Sequence, residues 1–377
     1  MKLMKKKLNV PFLPANILLP GSNHEKWAVV ACDQFTSEPE YWESVNKIVG
    51  DFPSTLRITL PEIYLEDNLD KRISDINKNM ENYINTNIFT EYKDAMIYVQ
   101  RTLPCGKIRH GIVGAIDLEA YDYNKSAVSL IRATEGTVLE RIPPRVKIRT
   151  NAPIELPHVM VLIDDPLNTV IVPFEGETLY DFDLMCGGGH ITGKLVDKNQ
   201  QNKIINALAD LMGDEENPLL FAVGDGNHSL ATAKACYEQN KNELSRYALV
   251  EIVNIHDPAL EFEPIYRILF NVDTEDFEKF MTKKSIDNYQ NLPLAILQSL
   301  LDEYMRINPQ VKIDYIHGID TVKKLASAPN TIGFILDGME KSELFPAVRK
   351  TGALPRKTFS MGEATSKRYY MECRKIK

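Results

Sequence analysis

The sequence predicts an α+β or mixed α/β protein, with a strand-rich central core, flanking helices and a smaller C-terminal α/β region. Three observations predict it. In "PEIYLEDNLDKRISDINKNMENYINTN", Ile63, Leu69, Ile73, Ile76, Met80 and Tyr83 recur at mostly three- and four-residue intervals, as on the buried stripe of a helix. The middle of the chain is dense in short β-branched runs bounded by turn residues. From residue 200 onward, helical and strand-like segments alternate, which suits a layered α/β core better than a helical bundle.

Taken in order, "VVAC" reads as a strand that feeds a helix containing Tyr41 and Trp42, and the amphipathic helix at 63–83 follows. "AMIYVQRT" and "KIRHGIVGAIDL" flank the turn "LPCG" as two strands. "AVSLIRA", "VKIRT", "HVMVLI" and "TVIVPF" are further strand candidates. A helix at 200–212, the strand "LLFAV", a helix beginning near Ser229 and the strand "YALVEIVNI" complete the core. Beyond it, helices are expected at 261–270 and 292–306 and strands near 311–316 and 331–336. The expected division is an N-terminal α/β region at 1–125, a ligand-binding core at 126–260 and a C-terminal α/β region with a basic tail at 261–377.

At 377 residues, 44% apolar and 25% charged, the chain can bury a substantial core. The net charge of -8 disfavours a protein coated for nucleic-acid binding, although a local basic cleft stays compatible with it. The start "MKLMKKKLNVPFLPANILLPG" lacks a sustained apolar stretch before Pro11, and no later run has membrane-spanning length, so a cytoplasmic protein without a membrane partner is expected. Five scattered cysteines read as reduced thiols. Nothing in the sequence speaks to oligomeric state.

The densest chemistry is in "FAVGDGNHSLATAK". A strand ending near Val223 meets Gly224 and Gly226, whose freedom permits a sharp bend, and a helix begins close behind. Backbone donors at a helix N-terminus receive phosphate oxygens. Asp225 can orient or deprotonate a hydroxyl, and His228 can bind a negative oxygen or move a proton. Asn227 and Ser229 can join the ligand or simply cap the helix. The stretch is neither a Walker A loop nor a complete GxGxxG fingerprint.

Three other segments carry candidates. In "IRATEGTVLERIPPRVKIRT", an extended conformation would put Arg145, Lys147 and Arg149 on one face, with Arg132 and Arg141 completing an anion site and Glu135 holding an arginine or serving in acid/base or metal chemistry, against the alternative of ordinary surface charge. In "DFDLMCGGGHITGKLVD", Gly188, Gly189 and His190 offer close backbone approach and a donor, against the alternative of a flexible turn. The ending "GALPRKTFSMGEATSKRYYMECRKIK" holds seven Lys or Arg against two Glu, so Arg356, Lys357, Lys367 and Arg368 can close over phosphate or only solubilise the surface. Near the N-terminus, Asp33 can bind an ammonium group or a metal. No zinc, haem or iron-sulfur spacing is present.

"CDQFTSEPEYW", "IRATEGTVLERIPPR", "PIELPHVMVLIDD", "GGGHITG", "VGDGNHSLATAK" and "LPRKTFSMGEATSKRYY" together resemble the bacterial and archaeal family DUF1015 over nearly the whole chain. The central motif of many relatives is similar to Asp-Gly-His-His-Arg, which here stands as Asp225-Gly226-Asn227-His228-Ser229. A related pattern occurs in the ParB/sulfiredoxin-like superfamily, whose members include nucleotide-binding switches, reductases and free-serine kinases. That resemblance implies nucleotide phosphate near Gly226 and His228. Ser229 lacks the guanidinium of the usual arginine, so Arg132, Arg145, Lys357 or Arg368 would have to supply its charge. Two functions are expected from these residues. One is a nucleotide-dependent phosphotransferase acting on a small hydroxylated metabolite with a nucleoside di- or triphosphate and magnesium. The other is a non-catalytic nucleotide-binding or regulatory protein, with nucleic acid the less favoured partner.

Overall fold

The computed structural model describes residues 9–136, 142–212, 216–286, 289 and 292–377. Strands β1 (Phe12–Leu13) and β2 (Ala15–Pro20) lead into helices α1 (His24–Trp27), α2 (Pro39–Val49) and α3 (Leu69–Asn85). β3 (Phe89–Ala95), β4 (Ile97–Thr102), β5 (Ile108–Asp117), β6 (Tyr121–Asp122) and β7 (Ile131–Ala133) follow, then α4 (Ile142–Thr150), β8 (Ile154–Glu155) and β9 (Met160–Ile163). The hairpin β10 (Thr178–Leu184) and β11 (Gly189–Leu195) precedes α5 (Lys198–Leu211), β12 (Phe221–Asp225), α6 (Asn227–Gln239) and β13 (Tyr247–Asn254). The C-terminal part contains β14 (Phe262–Pro264), β15 (Tyr266–Phe270), α7 (Thr274–Lys283), α8 (Leu294–Ile307), β16 (Lys312–Ile316), α9 (Ile319–Ala326), β17 (Thr331–Phe334), α10 (Leu344–Thr351), β18 (Phe359–Met361) and β19 (Arg374–Lys375).

A ten-stranded mixed sheet in the order β10-β11-β4-β5-β13-β9-β12-β7-β6, with β1 on β5, is flanked by helices. It takes strands from both sides of residue 125. Side chains alternate across a strand, and the two faces feed different cores. Val113, Ala115 and Leu249 join one core with α2 and α3, whereas Ile112, Ile116, Val250 and Ile252 join another with α5 and α6. On the first face Leu249 and Val253 belong to separate apolar clusters, and the buried Glu251 lies between them on the strand. A smaller sheet, β16-β15-β17, packs with α7 and α8 around Phe277, Leu301 and Phe334.

Several elements differ from expectation. "VKIRT" belongs to α4, which begins Ile142-Pro143-Pro144. Proline is tolerated in the first helical turn because no amide there needs an intrahelical partner, and its fixed φ suits the helix. Arg145 and Arg149 therefore share a helix side, four residues apart, while Lys147 points elsewhere. The helix expected at 261–270 is two strands, β14 and β15, with Tyr266 to Leu269 buried on both faces. Phe262, Ile265, Tyr266 and Leu269 stand at helical spacing, but pairing of β15 with β16 and β17 overrides that local pattern. "TVIVPF" forms no strand, because the amides of Thr169 and Val170 donate to the Asp165 carboxylate at 2.6 and 2.8 Å. "VVAC" makes one isolated bridge, Val30 to Tyr369.

Candidate functional site

β12 ends at Asp225 and α6 begins at Asn227, so the chain reverses direction over Gly226. Gly226 has φ +77°, and a Cβ there would stand 3.0 Å from the Val159 Cα. Both facts require glycine. Asn227 is buried and turned inward. Its Oδ1 accepts from the Thr134 amide at 3.3 Å, tying the start of α6 to the end of β7. Asp225 Oδ1 accepts from the Gly226 amide at 2.9 Å, and its Oδ2 lies 3.2 Å from Lys367 Nζ.

This junction opens onto a cleft of about 930 Å³. Gly224 and Asp225 line it from the end of β12, Gly226 from the bend, Asn227, His228 and Ser229 from α6, and Glu135 from just beyond β7. Lys357 and Lys367 reach it from the C-terminal segment, Arg145 and Arg149 from α4, and Cys32, Asp33 and Gln34 from the N-terminal part. The residues brought together thus span almost the whole sequence.

Electrostatics separate these groups. Burial pushes the Glu135 carboxyl above the usual glutamate range, although Lys357 and Lys367 pull it back. Lys357 stands at φ +57°, and its backbone amide bonds the Glu135 carboxylate. Asp33 moves the other way: burial opposes its ionisation, yet His158, Gln34 and Lys367 hold it below the usual carboxylate range. Their surroundings thus shift the two cleft carboxyls in opposite directions.

Each of the described candidate arginines is held by other protein groups. Arg145 pairs with Glu62 and Arg149 with Glu155, which also receives Arg374 Nε at 2.7 Å. Arg368 is 4% exposed and does not line the cleft. It bonds Glu251 at 2.8 Å, Glu372 at 2.6 Å and the Pro157 carbonyl at 2.9 Å. Arg132 is buried away from the cleft, its Nε on the Ser129 carbonyl at 2.9 Å and Nη2 on Pro218 at 2.8 Å. Arg356 stacks on Tyr315, donating to its hydroxyl at 2.7 Å, outside the cleft lining. Gly188, Gly189 and His190 belong to the β10–β11 hairpin, where His190 bonds Asp181 at 2.6 Å and Asp183 at 2.7 Å at the surface. Arg141 lies outside the described residues.

Sequence reasoning missed His158 and its contact with Tyr370. His158 is 5% exposed, with Nδ1 2.9 Å from the Tyr370 hydroxyl and Nε2 3.3 Å from Ser229 Oγ and 3.7 Å from Asp33 Oδ2. No periodicity distinguishes it within "PHVMV"; its weight comes from contacts with distant segments.

A sheet-supported junction facing acidic, basic and backbone donor groups defines an α/β protein with a candidate anion-handling cleft. The chain belongs to the DUF1015 family, proteins of unknown function, matching over residues 15–367. No curated protein matches the sequence. Among solved structures it is similar to a free serine kinase in complex with AMP, at 10% identity over 70% of this chain and 91% of that chain, with TM-score 0.42. A mutant of a free serine kinase in complex with ADP gives 11% identity, 72% and 93% coverage and TM-score 0.41. A conserved hypothetical protein from Pyrococcus furiosus gives 10%, 70% and 94%, with TM-score 0.39.

Proposed function

We propose a nucleotide-dependent phosphotransferase that acts on a small hydroxylated metabolite. The carrying observation is the convergence of Asp225, Glu135, Lys357, Lys367 and the first turn of α6 on one cleft. The amides of that turn and the two lysines offset phosphate charge, His228 supports a phosphate oxygen, and Asp225 orients the acceptor hydroxyl. Glu135 takes the acceptor proton once it is ionised. The central motif's resemblance to nucleotide-binding members of the ParB/sulfiredoxin-like superfamily supports the same placement.

Magnesium fits this reading through phosphate oxygens, water and one or two carboxylates, Asp225 or Glu135, without a dedicated cage. Among the described residues no group of three or more His, Cys, Asp or Glu is arranged to hold a metal ion, and no helix is long and apolar enough to cross a membrane. Engagement of Arg145, Arg149 and Arg368 by carboxylates favours a second reading, in which nucleotide is bound for regulation without turnover. Incubation with a panel of nucleotides and pooled small metabolites tests both. A phosphorylated product, seen as a mass increase, supports the transferase, and its absence with every donor despite measurable nucleotide binding supports the second reading.

A further inference from the structure

Ser229, His158, Tyr370 and Asp33 form a constellation that the proposed roles of Asp225, Glu135 and His228 do not use. Ser229 lies in the first turn of α6 and lines the cleft, with its hydroxyl turned to His158 Nε2 at 3.3 Å. That spacing is slightly long for a nucleophile and its base, and such pairs commonly tighten when substrate is bound. His158 is itself held from behind, because its Nδ1 stands 2.9 Å from the Tyr370 hydroxyl.

Tyr370 sets the orientation of the imidazole ring. Its oxygen accepts from the Cys32 amide at 3.1 Å, and its hydroxyl also meets the Cys32 thiol. In the tautomer that base catalysis requires, His158 carries its proton on Nδ1 and donates it to the Tyr370 oxygen. The Nε2 lone pair then faces Ser229. Asp33 Oδ2, 3.7 Å from the same Nε2, is placed to hold the imidazolium that forms when a proton arrives. A nucleophile, a base, a group that orients the base and a carboxylate for the resulting cation are therefore present together.

We propose that Ser229 is a covalent phosphoryl acceptor, activated by His158 with Tyr370 as its positioning residue. In the step, Ser229 Oγ forms a bond to phosphorus while the bond from phosphorus to the leaving oxygen breaks. The electron pair leaves with that oxygen, and the serine proton passes to His158 Nε2. The first-turn amides of α6, which lack intrahelical acceptors, face the charge that develops. The identity of the donor as a nucleoside triphosphate, releasing a nucleoside diphosphate, rests on the function proposed above; the reactivity of Ser229 toward phosphorus does not.

Diisopropyl fluorophosphate, which carries no nucleotide, keeps these two ideas apart. Ser229 attack on it forms the O–P bond, breaks P–F and releases fluoride. Peptide mapping of the labelled full chain should find the adduct on Ser229, and Ser229→Ala should not be labelled there. His158→Ala should slow labelling by on the order of a hundredfold, with added imidazole restoring part of the rate, a rescue that a purely structural role would not produce. Tyr370→Phe should slow it less, because it removes only the orienting hydroxyl. Folded wild-type protein without an adduct on Ser229 overturns the proposal even if a histidine variant fails to fold, as does a His158→Ala rate equal to wild type. Calorimetric titration with a nucleoside triphosphate reports separately on the proposed function.

Discussion

Gly226 illustrates how much one residue can set. Its left-handed φ and the 3.0 Å approach to Val159 leave an alanine side chain both strained and crowded. Gly226→Ala should therefore lower stability by about 1–2 kcal/mol, read from urea denaturation, and weaken nucleotide affinity by displacing the first turn of α6. An unchanged midpoint would mean that the junction relaxes freely. Glu135 gives a pH prediction. Burial raises its pKa, so the carboxyl keeps its proton where an exposed glutamate has lost it. A base must be ionised, so phosphotransfer should rise with pH through that raised pKa. Glu135→Gln should abolish the rise and lower the plateau by roughly 10²- to 10⁴-fold. The stability sign follows from the same shift. The folded state holds the proton more tightly, so the contribution is complete below the unfolded glutamate pKa and is lost as pH rises through the folded value. Thermal melts across that window should slope for the wild type and be flatter for Glu135→Gln.

At the scale of elements, α6 is fastened by its own first residue. Asn227 bonds the Thr134 amide and faces the Val223 carbonyl, linking the helix to two strands that are parallel neighbours. Asn227→Ala would leave a buried amide without its partner and should cost about 1–3 kcal/mol by chemical denaturation. The same position shows what was legible beforehand. Strand, glycine bend and helix are written in adjacent residues, and β4, β5 and β13 are runs rich in β-branched residues, so these elements could be read directly. The helix α4 could not: Val146 and Ile148 between Arg145, Lys147 and Arg149 mimic a strand, and packing of α4 near α6 decides against it. β14 and β15 failed for the converse reason: Phe262, Ile265, Tyr266 and Leu269 mimic a helix, and strand pairing with β18, β16 and β17 decides against it. For the candidate site, sequence identified the basic residues but not their partners. Glu62, Glu155 and Glu251 neutralise Arg145, Arg149 and Arg368 from remote parts of the chain, and no spacing rule anticipates that.

Across the whole molecule, the C-terminal segment joins parts that lie far apart in sequence. Leu18 and Cys373 exchange backbone hydrogen bonds at 2.8 and 3.0 Å, Ala31 donates to the Arg368 carbonyl at 2.9 Å, and Arg374 reaches Glu155. Arg101 and Arg109, both buried, donate to the Thr365 and Ser366 carbonyls, so the segment arrives at Lys367 already held. At its centre, Arg368 compensates Glu251 and Glu372 where water is excluded. Removing one member of such a cluster leaves the others charged and buried, which costs more than the cluster itself contributes. Arg368→Met should therefore destabilise the protein by about 3–5 kcal/mol in urea denaturation and carry Lys367 out of register with Asp225. Pairing it with Glu251→Leu should recover part of the loss, because the second change removes a buried carboxylate left with only Arg109 at 3.9 Å and fills the gap between the apolar clusters around Leu249 and Val253. Strict additivity of the two losses would show that Arg368 acts through its packing and its bond to Pro157 rather than through charge.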